Sequence, residues 1–307
     1  MSSFFNEPAM SIVPIVGKGS VNHIFLVETE NTKVIIRLNN HHRALHDYQK
    51  ESWCLIQATQ KGIPSPKVLS VGKIDEYAYM IESFVAGTYG EDDSVDRLLT
   101  WRKLGAYVSV IETVQAEGFG ENLSNPLTGQ FTAPLHDGFD GTWNGFLSYN
   151  INSLTEEDKL VELGVLTNDQ SKTVRNLFEK LYDYQFTLGL SHGDISLKNT
   201  IVSAEGEVYL LDWGSAEVTL APFWDIIQVL KCHITQDNPT HEEYLAFIEG
   251  LGMSQDCYRE HEPLINSLLL LRAIDKLRWA IARSPSDVPD FSAYAKTVLQ
   301  RVLRTRE

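Results

Sequence analysis

The sequence predicts an α+β fold of two unlike parts, a small β-rich part over residues 1–84 and a larger, mostly helical part over residues 85–307. Two observations support this prediction. Residues 11–38 and 67–84 contain short runs of β-branched and apolar residues separated by turn-forming residues, as strands do. Later in the chain, apolar residues recur mainly at helical spacing, most clearly over 94–114. A chain of 307 residues is long enough to bury a sizeable core.

The elements of the first part can be placed by pattern and by turn residues. A helix is expected from Arg43 to Gln60, closed by Gly62 and by the two prolines that follow. The expected strands are residues 11–16, 24–29, 33–38, 67–73 and 77–84.

The second part is expected to begin with an amphipathic helix over 94–114, with Leu98 and Leu99 on its apolar side. Residues 117–153 are rich in Gly and Asn and predict an irregular stretch, packed through its aromatic residues. Two Thr-x-x-Gln/Glu patterns, beginning at Thr167 and Thr240, predict capped helices. The last hundred residues are expected to be helical throughout.

Composition narrows the possible functions. The chain carries 26 basic and 41 acidic residues, a net charge of −15. This acidity disfavours a general nucleic-acid binder and docking on an anionic lipid surface. Three widely spaced cysteines, Cys54, Cys232 and Cys257, fit reduced thiols better than a disulfide framework or a zinc site. The N-terminus lacks a signal-peptide pattern, and no apolar run is long enough to span a bilayer. We expect a cytoplasmic protein without a nucleic-acid or membrane partner.

The chemistry of the chain is concentrated between residues 191 and 214. His192, Asp194 and Asn199 follow the pattern H-x-D-x-x-x-x-N, and Asp212 opens a D-W-G thirteen residues after Asn199. The segment between them predicts a tight β-hairpin with its turn at residues 204–206. Because a hairpin brings its two ends together, Asn199 and Asp212 should face one another, with Asp194 on the loop just before.

This arrangement suits phosphoryl transfer from a nucleoside triphosphate. One carboxylate accepts the proton of the attacking hydroxyl, while an Asn and an Asp hold the Mg²⁺ ions that bridge the phosphates. Each of these residues alone would more often be an ordinary turn residue, since Asp and Asn favour turns. The four together on a strand, loop and hairpin favour a site.

The order and spacing resemble the catalytic core of the protein-kinase-like fold. Gly193 replaces the kinase Arg and D-W-G replaces D-F-G, and with these changes the chain is similar to the aminoglycoside phosphotransferase family. The resemblance implies a bilobal fold with a β-rich N-terminal lobe and a helical C-terminal lobe. It implies that Asp194 is the proton acceptor, that Asn199 and Asp212 hold Mg²⁺, and that ATP or GTP is the phosphate donor.

The same resemblance assigns two residues to the support of the catalytic loop. His192 is expected to hydrogen-bond the loop as a scaffold, since the nearby Asp194 already fills the proton-accepting role. Asp225, in the run P-F-W-D, matches an Asp with which the family braces the backbone of this loop. The alternative for Asp225 is a helix N-terminal charge favoured by the dipole.

The nucleotide site is expected in the first part. Gly19, Ser20 and Asn22 lie in a glycine-containing turn that could close over phosphates, or could be a plain hairpin turn. The family's looser G-x-x-N pattern matches Gly19 and Asn22. Arg37 stands on the third strand, where a kinase-like fold places the phosphate-binding cation.

Two further elements of the nucleotide site follow from the resemblance. Glu51, inside the helix after the third strand, is the candidate partner that orients Arg37. Lys33, four residues before Arg37, is expected in solvent. Backbone groups from Glu82 to Phe84, where the family crosses between lobes, are expected to meet the adenine edge.

Three functions are compatible with these residues. The first is a kinase of a small hydroxylated molecule such as an aminoglycoside-like antibiotic, an amino alcohol or a sugar, in resistance or in metabolism. A protein kinase is disfavoured, because Pro222 follows Gly214 by only eight residues and leaves no room for an activation segment. A catalytically silent nucleotide-binding scaffold is disfavoured by the intact catalytic residues.

The acidity of the chain favours a cationic acceptor, although surface acidity often serves only solubility. We expect carboxylates of the second part to line the acceptor side of the cleft. The candidates are Glu91 to Asp93, Asp137, Asp140, Glu217 and carboxylates of the C-terminal helices.

Overall fold

The computed structural model describes residues 7–15 and 22–304, and its first layer is an antiparallel five-stranded sheet. The strands are β1 Ser11–Ile15, β2 His23–Glu28, β3 Lys33–Asn39, β4 Val68–Ile74 and β5 Tyr77–Ser83. Their order in the sheet is β1-β2-β3-β5-β4, so that β3 and β5 lie in the interior of the sheet. All five lie where the sequence predicts strands.

The two faces of this sheet pack differently. On one face, Val27, Val34, Ile36 and Ile81 form a small apolar cluster of their own. On the other, Met80 joins the main core together with helix α1, which spans Ala44–Gln60. Because strand side chains alternate between faces, β5 contributes Met80 to the main core and Ile81 to the small cluster.

A short strand links this layer to the rest of the chain. Strand β6, Thr88–Tyr89, pairs with a hairpin of the second part and completes a three-stranded sheet. Gly87, just before it, has φ +158°, and a Cβ there would lie 2.4 Å from the carbonyl oxygen of Val202. The connection therefore lies directly against the hairpin that follows the predicted catalytic loop.

The second part is mainly helical. Helix α2 packs on α7, and α8 packs on α9, around one apolar core. The helices are α2 Arg97–Ile111, α3 Trp143–Asn152, α4 Lys159–Glu162, α5 Asn168–Glu179, α6 Phe223–Gln236, α7 His241–Gly250, α8 Gln255–Arg283 and α9 Val288–Arg304. Both predicted capping boxes are present, at the starts of α5 and α7.

The start of α2 corrects one prediction. The helix begins at Arg97 because Asp96 caps it, accepting from the N–H of Leu99. Leu98 and Leu99 are each 42% exposed instead of lying on the apolar side. The buried side of this helix consists of Trp101, Leu104, Val108 and Ile111.

The Gly- and Asn-rich stretch is more regular than expected. It forms strands β7 Glu117–Phe119, β8 Asn122–Asn125 and β9 Gln130–Thr132, followed by α3. Aromatic rings pack this stretch as predicted, with Phe131 only 1% exposed and Trp143 at 5.9 Å from Phe146 between ring centroids. Strands of three or four residues with Gly and Asn lack the alternation that would have predicted them.

The last hundred residues are not helical throughout, which corrects another expectation. Strand β13, Glu217–Leu220, pairs antiparallel with β10, Leu188–Ser191. Strands β11 Thr200–Val202 and β12 Val208–Leu210 form the predicted hairpin. Over the described ranges, no helix combines the length and the apolar character needed to cross a membrane.

Candidate active site

Strand β10 ends at Ser191, and the loop after it carries Asp194. Asp194 Oδ2 accepts a hydrogen bond from Asn199 Nδ2 at 2.8 Å and forms an ion pair with Lys198 Nζ at 3.1 Å. Asn199 Nδ2 also donates to the main-chain oxygen of Asp194 at 2.9 Å. Within the described residues, Asp194 Oδ1 has no hydrogen-bond partner, and the residue lines an open cleft. One carboxylate oxygen is thus held in place, while the other has no such partner, on a residue that lines the cleft.

His192 lies beneath this loop and is fully buried. Its Nδ1 accepts from the N–H of Asp194 at 3.3 Å, which leaves the proton on Nε2 to be donated to the carbonyl of Leu211 at 3.0 Å. Burial lowers the pKa of His192, and the ring packs edge-on against Trp213 at 4.7 Å. A neutral, buried imidazole of this kind ties the loop to the end of the hairpin.

Asp225, at the start of α6, holds the same loop from the other side. Its carboxylate accepts from the N–H of Gly193 at 2.8 Å and from the N–H of His192 at 3.1 Å. Burial raises the pKa of Asp225 to about 6, although these two bonds oppose the rise. The carboxylate therefore contacts the backbone of the catalytic loop directly, in addition to lying in the first turn of its helix.

The structure explains why glycine stands at position 193, where protein kinases have Arg. Gly193 has φ +78°, a conformation that side chains strongly disfavour. A Cβ at this position would also lie 2.4 Å from the carbonyl oxygen of Ser215. The close approach brings the catalytic loop against the segment that follows D-W-G.

The hairpin brings Asn199 and Asp212 to its open end. Thr200 pairs with Leu210, and the N–H of Leu211 donates to the carbonyl of Asn199 at 2.9 Å. Asp212 follows in a left-handed conformation with φ 55°. The expectation that the two residues flank the end of one hairpin agrees with this pairing.

The donor atoms at this end suit a hard cation. Asn199 uses its Nδ2 on Asp194, so that its carbonyl Oδ1 is left without a protein partner among the described residues. Asp212 adds a carboxylate. Over the same residues there is no cluster of three or more His, Cys, Asp or Glu that could hold a metal. Two protein oxygens, with phosphate oxygens and water completing the shell, are what Mg²⁺ takes in nucleotide sites, so the residues fit it.

Arg37 lies on β3 as predicted and forms an ion pair with Glu51 of α1, with 2.5 Å between Nη1 and Oε1. Its Nη1 is also 3.8 Å from Glu82 Oε2. Burial works against the charge of Arg37, but the attraction of Glu51 and Glu82 is larger and raises its pKa. Lys33 instead lies half in solvent and pairs with Glu28 at 2.6 Å.

The side chain of Glu82 was missed, because the sequence analysis considered only backbone groups there. Burial raises the pKa of Glu82 to about 7 despite the neighbouring Arg37. The adenine expectation also changes, since the N–H groups of Ser83 and Phe84 donate to the carbonyls of Lys67 and Lys33. A contact to the adenine edge would have to use carbonyl groups of this segment or N–H groups after Phe84.

Lys50 is a second residue that the sequence analysis missed. It is buried in α1, and its Nζ donates to the carbonyls of Gly214 at 2.7 Å and Ala216 at 3.0 Å. The adjacent Glu51 holds Arg37. One turn of α1 therefore contacts both the predicted phosphate-binding cation and the segment after D-W-G. A lysine beside the predicted Glu in a helix was the only signal for it.

Of the residues expected in the glycine-containing turn, the structure describes Asn22. Gly19 and Ser20 lie outside the described residues. Asn22 Oδ1 accepts from Asn39 Nδ2 at 2.9 Å and from the hydroxyl of Tyr48 at 3.0 Å. Asn22 thereby fixes the start of β2 to the end of β3 and to α1. Its predicted contact with nucleotide stays a prediction.

The lining of the cleft beside Asp194 differs from the expectation that carboxylates line the acceptor side. The cleft has a volume of about 600 Å³ and is lined by the catalytic loop and by side chains of α6 and α8. Of the carboxylates named individually, only Glu91 lines it, and the C-terminal helical region adds Asp287. Glu217 instead accepts from Trp224 Nε1 at 2.6 Å, and Asp140 accepts from Thr142 at the start of α3. Net charge failed as a guide because most acidic residues lie elsewhere on the surface.

Comparison with known proteins places the chain in a family. The profile of the phosphotransferase enzyme family matches residues 12–264, and the chain belongs to this family. An uncharacterized Staphylococcus aureus protein from the ileS 3′ region is 29% identical to it over 118 residues, 37% of this chain and 83% of that protein.

Solved structures show the same fold at low sequence identity. An aminoglycoside 2′-phosphotransferase in complex with GDP superposes with a TM-score of 0.68 and 14% identity, covering 100% of this chain and 97% of that one. Aminoglycoside phosphotransferase APH(4)-Ia superposes with a TM-score of 0.66 and 16% identity, covering 99% and 96%. These likenesses confirm the α+β, kinase-like fold. The lobe boundary at residue 84 stays a prediction.

Proposed function

We propose that this chain transfers the γ-phosphate of ATP or GTP to a hydroxyl group of a small molecule. The observation that carries the proposal is the arrangement around Asp194. Asp194 lines a cleft and has one carboxylate oxygen without a hydrogen-bond partner among the described residues, while Asn199 fixes the other oxygen and flanks the hairpin end with Asp212. Membership of the phosphotransferase family supports the reaction class.

Asp194 takes the role of proton acceptor. The acceptor hydroxyl oxygen forms a bond to the γ-phosphorus, the bond from that phosphorus to the β–γ bridging oxygen breaks, and the nucleoside diphosphate leaves. The hydroxyl proton moves to Asp194 Oδ1, the oxygen that Asn199 and Lys198 leave free. Lys198, at 3.1 Å from Oδ2, keeps the carboxylate in position and adds positive charge beside the transferred group.

The donor lies between the sheet and the catalytic hairpin in this proposal. Arg37, held by Glu51, binds the phosphates, and its planar guanidinium can make two parallel hydrogen bonds to them. Asn199 and Asp212 would hold Mg²⁺, which neutralises the charge that develops on the phosphate oxygens. His192 and Asp225 act as positioning residues, because they contact the backbone of the loop that carries Asp194.

Relatives of this fold support a nucleotide donor and a small acceptor. APH(4)-Ia has been solved as a ternary complex with ADP and hygromycin B, with a TM-score of 0.65 and 16% identity to this chain. Another relative holds GDP. The chain's choice between ATP and GTP follows from neither.

The two other candidate functions have less support. A protein kinase needs a long activation segment after D-W-G, whereas here β13 begins at Glu217 and α6 at Phe223. A catalytically silent nucleotide-binding scaffold would not need a carboxylate held in place as that of Asp194 is. A cytoplasmic reaction is favoured by the three cysteines, all of which carry free thiols.

A panel of hydroxylated small molecules tests the proposal. Purified protein with Mg²⁺ and either ATP or GTP should release ADP or GDP only when an acceptor is present, and the acceptor should gain one phosphate by mass spectrometry. Nucleotide binding without phosphorylation of any acceptor would favour the silent scaffold.

A further inference from the structure

The cleft beside Asp194 has a wall of positive charge. Lys231 of α6 and both Arg272 and Lys276 of α8 line it, in addition to Lys198 of the catalytic loop. A second hollow of about 440 Å³ adjoins it and shares Lys231 among its lining residues. A chain with a net charge of −15 thus presents three cations from two helices on one side of its acceptor cleft.

In the part of the chain that the structure describes, carboxylates act on these three cations only beyond ion-pairing distance. Burial raises the pKa values of Asp225 and Asp275, and the charges of Arg272 and Lys276 oppose that rise. Across the described residues, none of Lys231, Arg272 and Lys276 forms an ion pair with a carboxylate. They lie over aromatic rings instead. The distances to the ring centroids are 4.7 Å from Arg272 to Trp224, 5.6 Å from Lys231 to Tyr294 and 5.7 Å from Lys276 to Trp279.

Burial lowers the pKa of Lys231, and the positive charges of Arg272 and Lys276 lower it further. The three side chains are therefore close enough to repel one another. Like charges held together without an ion-pair partner are costly, and an anionic ligand between them would lower that cost.

Among the described residues, the cleft is lined by four cations and three carboxylates. Of the carboxylates, Asp194 pairs with Lys198, and its charge also raises the pKa of Lys231. Asp287 accepts from the hydroxyls of Ser284 and Ser286, and Glu91 lies on the segment before α2. The lining therefore has an excess of positive charge although the whole chain is acidic.

The donor phosphates do not account for these cations. No described residue before Glu91 lines the cleft, so Arg37 and the sheet lie outside it, and so does Asp212. The wall therefore lies on the acceptor's side of Asp194.

We propose that the acceptor is an anion, a small hydroxylated compound that carries a carboxylate or a phosphate. Its acidic group binds between Lys231, Arg272 and Lys276, and its hydroxyl reaches Asp194. This inference rests on the proposed phosphotransferase function and replaces the cationic acceptor expected from net charge. A volume of about 600 Å³ is ample for a sugar acid or a sugar phosphate.

Matched acceptors that differ only in charge test the inference. The set pairs gluconate and glucose 6-phosphate with glucose, and glycerate with glycerol, and adds ethanolamine and kanamycin as cations. We expect anionic members to have kcat/KM values about 10- to 100-fold above their neutral partners, as hydrogen bonds between charged groups supply. Comparison of gluconate and glycerate with glucose 6-phosphate shows whether the site prefers a carboxylate or a phosphate. The advantage should shrink as salt rises from 0.05 to about 1 M, since the Debye length falls to about 3 Å.

Single-residue variants test whether the cations of the cleft cause the preference for anionic acceptors. Lys276→Gln should raise the KM of the anionic acceptor about 10-fold or more and leave the nucleotide KM within twofold. Lys172→Gln, an exposed lysine of α5 outside the cleft, removes the same charge and should change neither. Lys276→Glu should move the preference toward ethanolamine or kanamycin. Arg272 also packs on Trp224, so Lys276 is the cleaner site.

The outcomes separate this inference from the proposed function. A neutral or cationic best acceptor, or equal effects of Lys276→Gln and Lys172→Gln, overturns the anionic acceptor while phosphotransfer stands. If no compound is phosphorylated, the proposed function fails, and calorimetry on the nucleotide-bound protein still decides the inference. Anionic compounds should then bind more tightly than their neutral partners and lose that advantage in Lys276→Gln, and equal binding contradicts it.

Discussion

Lys50 Nζ donates a hydrogen bond of 2.7 Å to the carbonyl of Gly214, and this bond joins helix α1 to the end of the D-W-G segment. The next residue, Glu51, holds Arg37 on β3. The predicted phosphate-binding cation and the predicted metal ligand Asp212 are thus positioned from one turn of one helix. Movement of α1 would displace both together.

Lys50→Met should therefore weaken nucleotide binding although Lys50 contacts neither phosphate nor metal in our proposal. The change leaves the carbonyls of Gly214 and Ala216 without this donor, and for the buried Ala216 the loss costs about 1–3 kcal/mol. Urea denaturation and a Mg²⁺ titration of nucleotide affinity measure the two effects. Lys61→Met, at the exposed end of the same helix, is the control and should change neither value. Unchanged metal dependence in Lys50→Met would contradict the coupling.

Arg37→Ala should raise the nucleotide KM and lower kcat, while Arg37→Lys should keep part of the activity as a point charge. Removing the guanidinium leaves Glu51 and Glu82 buried without their cation, which destabilises the fold by about 3–5 kcal/mol. Kinetics must therefore be measured below the melting temperature of each variant. Lys33→Ala, which removes an exposed cation of the same strand, should do little. A damaging Lys33→Ala with a harmless Arg37→Ala would refute the assignment.

Asp212→Ala and Asn199→Ala should both weaken Mg²⁺-dependent nucleotide binding. Asp212 should matter more, because it offers a full charge to the cation. Asn199→Ala should also lower kcat, since Asn199 Nδ2 holds Asp194 Oδ2. Titration of Mg²⁺ at fixed nucleotide gives the apparent metal affinity of each variant. An unchanged metal requirement in Asp212→Ala would rule it out as a ligand.

Asp225 should make stability depend on pH in a defined direction. Its pKa is about 6 in the folded chain, against a usual value of about 3.9 in an unfolded one. Between these values the folded state binds the extra proton, so the contribution of Asp225 to stability is largest below about pH 4 and is lost as pH rises through 6. The side chain of the Asp225→Asn variant does not titrate, so the variant lacks this contribution to the pH dependence of stability.

The free energy of unfolding of the wild type minus that of Asp225→Asn should therefore fall between pH 4.5 and 6.5 and level off above. Urea denaturation at several pH values measures this difference. A difference that rises over this range would show that the bonds from His192 and Gly193 outweigh burial.

Local sequence patterns predicted most of the strands and helices, because these elements depend mainly on residues that are close together in the chain. Alternation placed the strands of the large sheet, and Thr167 with Gln170 placed the start of α5. Spacing also predicted that the hairpin would bring Asn199 and Asp212 to one end, because a turn fixes its register. The helix bearing Glu51 was placed by its terminating Gly62 and prolines.

The site residues that the sequence analysis missed depend on contacts between segments far apart in the chain. Lys50 and Gly214 are separated by 164 positions, and nothing in the sequence near either residue indicates the other. Glu82 was overlooked for the same reason, because its partner Arg37 lies on a neighbouring strand. The positive wall of the cleft joins Lys231 with Arg272 from another helix, and net charge could not predict it.

Substitution of Asp194 by Asn tests the central claim most directly, since it keeps the size of the side chain and removes its capacity to accept the hydroxyl proton. Nucleotide affinity is measured by calorimetry, and turnover by diphosphate release with the best acceptor from the panel. We predict that kcat falls by several orders of magnitude while the Kd for nucleotide stays nearly unchanged, because the lost interaction belongs to the transition state. Turnover near that of the wild type would contradict the assignment of Asp194 as the proton acceptor.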